Sequence, residues 1–75
     1  MTAKKATKDT VERILDAAAN LFAVHGYAAT TTKAIALEAG VNEVTLFRRF
    51  TNKAGVLRAL GERIARREAE RAGPS

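Results

Sequence analysis

The sequence predicts an all-α domain, and three observations carry that prediction. Apolar residues make up 47% of the chain and sixteen of them are Ala, the best helix former, while the single Pro stands at Pro74. Apolar residues recur at three- and four-residue spacings in successive segments, and no stretch of four to eight residues alternates as a half-buried strand would. The segments are separated by stop-and-cap signals: His25-Gly26, Gly40, Asn42 and Thr51-Asn52.

The elements follow in order. Residues 1–8 (MTAKKATK) are polar, basic and aperiodic. They read as a flexible arm, either plainly solvated or placing Lys4, Lys5 and Lys8 near phosphates or a minor groove. Asp9-Thr10-Val11-Glu12 suits a helix start with reciprocal capping, Asp9 and Thr7 being alternative caps. Val11, Ile14, Leu15, Ala18, Leu21 and Phe22 then trace one helical face. His25-Gly26 ends that helix, with Gly26 suited to the left-handed C′ conformation and Tyr27 able to fold back on the last turn.

Thr30-Thr31-Thr32 is a β-branched run better placed at a helix start than inside one, with Thr31 the N-cap of a short helix over 32–39. Ile35, Ala36 and Ala39 face inward, Gly40 stops the helix, and Val41 plugs the turn. Asn42 caps a further helix over about 43–50, with Leu46 and Phe50 inward. Thr51-Asn52 caps a fourth helix from Lys53, for which Val56, Leu57, Leu60 and Ile64 form the apolar stripe. Residues 65–72 (ARREAERA) contain no large apolar side chain. They are expected to be exposed or frayed, supported by pairs such as Glu62–Arg66 and Arg66–Glu70, with Gly73-Pro74-Ser75 ending any helix.

Composition excludes several functions. A chain of 75 residues is one domain at most, and one that buries only about 60% of its unfolded surface. There is no Cys, hence no disulfide framework, thiolate metal site or cysteine nucleophile, which favours a reducing, cytoplasmic setting. No apolar run approaches the ~18 residues of a membrane span, and no signal-peptide pattern opens the chain. Thirteen Lys and Arg against eight Asp and Glu give +5, an excess that favours a polyanionic partner; residues 41–75 carry +4 of it. No nucleophile stands with a base, and no metal cluster or phosphate-cradling Gly loop is present, so no enzyme activity and no cofactor are expected. His25, near a helix C-terminus, suits a favourable dipole or surface position rather than a metal site.

Two short helices joined through Ala36-x-x-x-Gly40-Val41 make a helix-turn-helix. Ala36 is small where the helices cross, Gly40 takes the turn's backbone angles, and Ile35, Val41 and Leu46 fill the angle between them. The second helix then turns Glu43, Thr45, Phe47, Arg48 and Arg49 outward. Such a helix fits a major groove, where Arg pairs with guanine and Thr meets a thymine methyl. Phe47 can equally complete the core.

The stretch from Thr31 to Lys53 (TTKAIALEAGVNEVTLFRRFTNK) resembles the DNA-binding signature of TetR-family transcriptional regulators. So does Arg13-Ile-Leu-Asp-Ala-Ala-x-x-Leu-Phe22 followed by Gly26-Tyr27. The resemblance covers about residues 11–60. It implies a homeodomain-like, three-helix DNA-binding bundle over 9–64 plus the start of a long fourth helix. It also implies a further helical domain, absent from this chain, that binds a small-molecule ligand and dimerises. The parent would then be a homodimer and this chain a monomer, with double-stranded operator DNA as partner and no membrane role. Family members usually repress transcription.

By the same resemblance, Thr31 and Thr32 sit where phosphates are contacted, and Lys33 where a base or phosphate is reached. Glu43, Val44 and Thr45 open the recognition helix. Phe47 stands at a backbone-touching position that is commonly Tyr, Arg48 and Arg49 extend the groove contact, and Lys53 matches a recurrent phosphate-binding Lys. Ala34 departs from an acidic residue that often completes the capping box. Val44 replaces Gly or Pro, so it either meets a thymine methyl or packs. Phe47 lacks the Tyr hydroxyl, and Arg49 replaces a common His. Two other readings remain beside specific DNA binding: non-specific nucleic-acid binding, and a basic helical module for a protein or membrane surface. Arg58, Arg63, Arg66, Arg67 and Arg71 form an Arg-rich tail expected to serve solubility or, in a longer protein, contact with the absent domain; in the protein- or membrane-surface reading the same helix is the binding face.

Overall fold

The computed structural model describes residues 9–72. Among them the chain is helical with no strand: α1 Thr10–His25, α2 Thr32–Ala39, α3 Glu43–Arg49 and α4 Lys53–Ala72. The arm at 1–8, the alternative cap Thr7 and the Gly73-Pro74-Ser75 stop lie outside the described residues.

Each helix begins where a short polar side chain can satisfy an orphan backbone N–H. Asp9 Oδ1 accepts from Glu12 N at 2.9 Å, and Thr31 Oγ1 from Ala34 N at 3.0 Å. Asn42 Oδ1 accepts from Val44 N at 2.7 Å, and Asn52 Oδ1 from Gly55 N at 2.9 Å. Each such cap stabilises its helix by about 1 kcal/mol. The reciprocal half of the first capping box is not made, because the Glu12 carboxylate turns to Arg63 instead. Nor does α2 have an acidic residue in its first turn, as Ala34 implied.

Two glycines set the connections. Gly40 has φ 73° and ψ 32°, the left-handed geometry the α2–α3 turn needs. Gly26 departs from expectation: at φ 87° and ψ 159° it lies outside the left-handed helical well, in a region only glycine enters freely. The chain therefore leaves α1 extended rather than curling back. Tyr27 still returns to the last turn, its ring centroid 5.3 Å from that of Phe22.

Helix α1 packs against α2 and α4, and α2 against α3. The buried core joins Ile14, Leu15, Ala17 and Ala18 of α1 to Ile35, Ala36 and Ala39 of α2, Leu46 of α3, and Val56 and Leu60 of α4. Val41 and Phe50 pack against it half-buried, so Val41 is less of a plug than its position suggested. Phe50 is the extended C-cap of α3 and not its last helical residue.

The inward face of α4 differs from the expected stripe. Leu57 and Ile64 are 43% and 54% exposed, whereas Arg63 is 6% exposed. The i, i+4, i+7 row that meets α1 is Val56, Leu60, Arg63, and Leu57 and Ile64 lie one position round the helix. Arg63 can be buried because its Nη1 donates to Glu12 Oε1 at 3.0 Å and to Asp16 Oδ1 at 2.9 Å. It belongs to the α1–α4 contact, not to a solvated tail. Residues 65–71 are helical and exposed, and the ion pair found there is Arg71–Glu68, not Glu62–Arg66 or Arg66–Glu70. Exposed pairs of this kind contribute only a few tenths of a kcal/mol, so sequence spacing does not decide among them.

Candidate nucleic-acid interface

Helix α3 is anchored on one side by Leu46, fully buried, and by Phe50 just beyond its end. At 100° per residue, the opposite side centres on Val44 and Arg48, one turn apart. Glu43 and Phe47 form one flank and Thr45 and Arg49 the other. Val44 is 58% and Phe47 44% exposed, so both side chains are turned out of the core. Arg48 and Arg49 are exposed in the last turn, where they also complement the helix dipole. Arg49 borders a cleft between α3 and α4 that Asn52, Arg58 and Glu62 also line.

The Glu43 flank faces α2. Thr32 Oγ1 donates to Glu43 Oε2 at 3.0 Å, tying the first turns of the two helices together. With its one proton committed to Glu43, the Thr32 hydroxyl has only lone pairs to offer outward. Thr31 keeps its hydroxyl proton, since its oxygen acts as acceptor for Ala34 N. Lys33 is exposed and lines a shallow depression with Leu37, Val41 and Glu43.

Lys53 is held differently from a free surface lysine. Its Nζ donates to the carbonyl oxygens of Tyr27 at 2.8 Å and Thr30 at 2.9 Å. Two of its three protons thus bind the α1–α2 connection, leaving one. Nearby Thr30 is buried, its hydroxyl shared between the carbonyls of Gly26 at 2.8 Å and Leu21 at 3.2 Å. Arg13, which the sequence pattern gives no role beyond the family signature, also has a structural one. Its Nε donates to Ala39 O at 3.2 Å and its Nη2 to Gly40 O at 3.1 Å, capping the C-terminal end of α2. No spacing signal marks such long-range pairing; only the fold brings residues 13 and 40 together.

Sequence comparison adds the family to this geometry. The family described as "Bacterial regulatory proteins, tetR family" matches residues 14–60. The chain belongs to the TetR family. It is also 55% identical over 53 residues to a Bacillus subtilis (strain 168) protein described as "Uncharacterized HTH-type transcriptional regulator YvkB". That match covers 71% of this chain and 28% of the relative. The TetR-family domain is a DNA-binding unit of transcription regulation. Among the described residues there is no group of acidic, His or Cys side chains able to hold a metal ion, and no helix long and apolar enough to cross a membrane.

Proposed function

We propose that this TetR-family domain reads a specific duplex sequence by laying α3 in the major groove, and that it represses transcription by occupying promoter DNA. The observation that carries the reading is the outward α3 face: Val44 and Arg48 at its centre, backed by buried Leu46. A groove-facing helix needs this separation of an anchored side from a presented side.

In this reading Arg48 pairs with a guanine edge, Thr45 and Arg49 extend the contact, and Val44 and Phe47 meet apolar edges. Thr31, Lys33, the backbone of Thr32 and the remaining proton of Lys53 serve phosphates, which position without specifying. A regulator of this kind acts in the bacterial cytoplasm, where the DNA is. The chain spans 28% of the length of the relative it matches. A longer parent would hold a small-molecule ligand and a homodimer interface outside these residues, and this chain alone would be a monomer that binds a half-site weakly.

Selection from a random duplex pool tests the reading. Enrichment of a shared motif is the expected result, with Arg48→Ala lowering affinity for that motif more than for scrambled DNA. Equal retention of all duplexes would leave a non-specific binder. In vitro transcription from a promoter carrying the enriched motif tests repression: added parent protein should lower transcript yield.

A further inference from the structure

Glu43 is the sole acidic residue of α3. A carboxylate on a helix facing DNA is electrostatically unfavourable, because phosphates lie within a Debye length. The pairing that would offset this is missing: among the described residues Glu43 makes no ion pair. Its neighbours on α3, Val44 and Phe47, are apolar; Lys33 lines the same depression without pairing to it, and the first-turn position leaves the helix dipole as its favourable partner.

The side chain is nevertheless fixed. It is half-buried, and Thr32 Oγ1 donates to Oε2 at 3.0 Å from the first turn of α2. The Oε1 oxygen has no hydrogen-bond partner among the described residues. An oriented acceptor with spare lone pairs can be satisfied by few groups in a major groove. The only donors there are the exocyclic amino groups, N4 of cytosine and N6 of adenine; guanine and thymine edges opposite it present O6, N7 or O4 acceptors.

We infer that Glu43 is a specificity-determining residue that accepts a hydrogen bond from an exocyclic base amino group, and that Thr32 is its positioning residue. The inference rests on the proposed seating of α3 in the major groove. Its second consequence is discrimination by repulsion. Where no amino group meets it, the carboxylate faces acceptors and phosphates, which weakens wrong sequences and random DNA alike.

Amino-group deletion in the DNA tests this. In a motif enriched by selection, each cytosine is replaced in turn by pyrimidin-2-one and each adenine by purine, analogues that lack only the amino group. At one position the wild-type chain should lose about 5–20-fold in affinity while Glu43→Ala loses less than about 2-fold. Whether that position is cytosine or adenine identifies the base. Glu43→Gln, which keeps shape and removes charge, should bind scrambled duplex about 2–5-fold more tightly and so lower the ratio of motif to scrambled affinity. Thr32→Val should lower that ratio in the same direction.

Amino deletions that cost wild type and Glu43→Ala equally would overturn the inference while leaving groove reading intact. So would an unchanged ratio in Glu43→Gln, which stands alone if Glu43→Ala does not fold. An unchanged ratio in Thr32→Val would remove the positioning role. Failure of the selection to enrich any motif would overturn the groove reading and the inference together.

Discussion

Lys53 and Tyr27 are joined twice: the ammonium donates to the Tyr27 carbonyl oxygen at 2.8 Å and stands 4.2 Å above the centroid of its ring. With the further bond to Thr30 O, this one side chain closes the α1–α2 connection onto the start of α4.

Lys53 should therefore show two effects when replaced. Lys53→Met is expected to destabilise the domain by about 1–2 kcal/mol through the lost charged hydrogen bonds. For a chain of this size that is a fall of roughly 4–16 °C in Tm by thermal melting. In binding titrations it should also weaken motif and scrambled duplexes about equally and reduce the salt slope by about one. A loss confined to one sequence would contradict the phosphate role.

At Arg63, charge and volume should separate. The partners Glu12 and Asp16 stay partly exposed, so they tolerate losing the guanidinium. The Arg63 Nε is buried with no hydrogen-bond partner, which itself costs stability. Arg63→Met is thus expected to stay within about 1 kcal/mol of wild type. Arg63→Ala, which leaves a gap between α1 and α4, should cost about 2–3 kcal/mol. Denaturant titration of both variants decides; a Met variant as poor as the Ala variant would make the ion pair itself essential.

The two turn glycines should respond differently to asparagine. Gly40 lies in the left-handed well, which Asn tolerates, although a Cβ there would stand 3.3 Å from Arg13 Nη2, the end of a flexible chain. Gly26, at φ 87° and ψ 159°, has open space around it but a backbone that no side chain favours. Gly26→Asn should cost about 1–3 kcal/mol, and Gly40→Asn less than about 1 kcal/mol. Melting temperatures in the reverse order would refute this account of the turns.

The face of α4 is open to a direct check. Leu57→Ser and Ile64→Ser should change stability by no more than about 0.5 kcal/mol in this chain. Leu60→Ala, one position from the exposed row, should cost about 2–4 kcal/mol in the same denaturant assay.

These positions also show what the sequence could and could not reveal. Capping side chains act over two or three residues, so Asp9, Thr31, Asn42 and Asn52 were legible, and the helices began where they indicated. The inward row of α4 was not legible. Leu57 and Ile64 are as apolar as Leu60, and only the seating of α1, with Glu12 and Asp16 waiting for a cation, selects the row ending in Arg63. Of the ten candidate DNA-contacting residues, Glu43, Thr45, Phe47, Arg48 and Arg49 follow from the helix-turn-helix pattern, and Thr31, Thr32, Lys33, Val44 and Lys53 from the family signature. The bonds that hold Glu43 to Thr32, and Lys53 to the first turn, span 11 to 26 residues, and no local pattern encodes them. The structural role of Arg13 escaped notice for the same reason.

Four of the ten core residues are alanines: Ala17, Ala18, Ala36 and Ala39. Alanine has no rotamer to change, so at these four positions the packing of α1 on α2 has no side chain to rearrange. The surface that α3 presents is consequently carried on a stiff mount. In the proposed seating of α3 in a major groove, a duplex that departs in groove width or bend from what that surface requires leaves most of the energy of adjustment to the DNA. Sequences that deform readily will then be favoured even at base pairs no side chain touches.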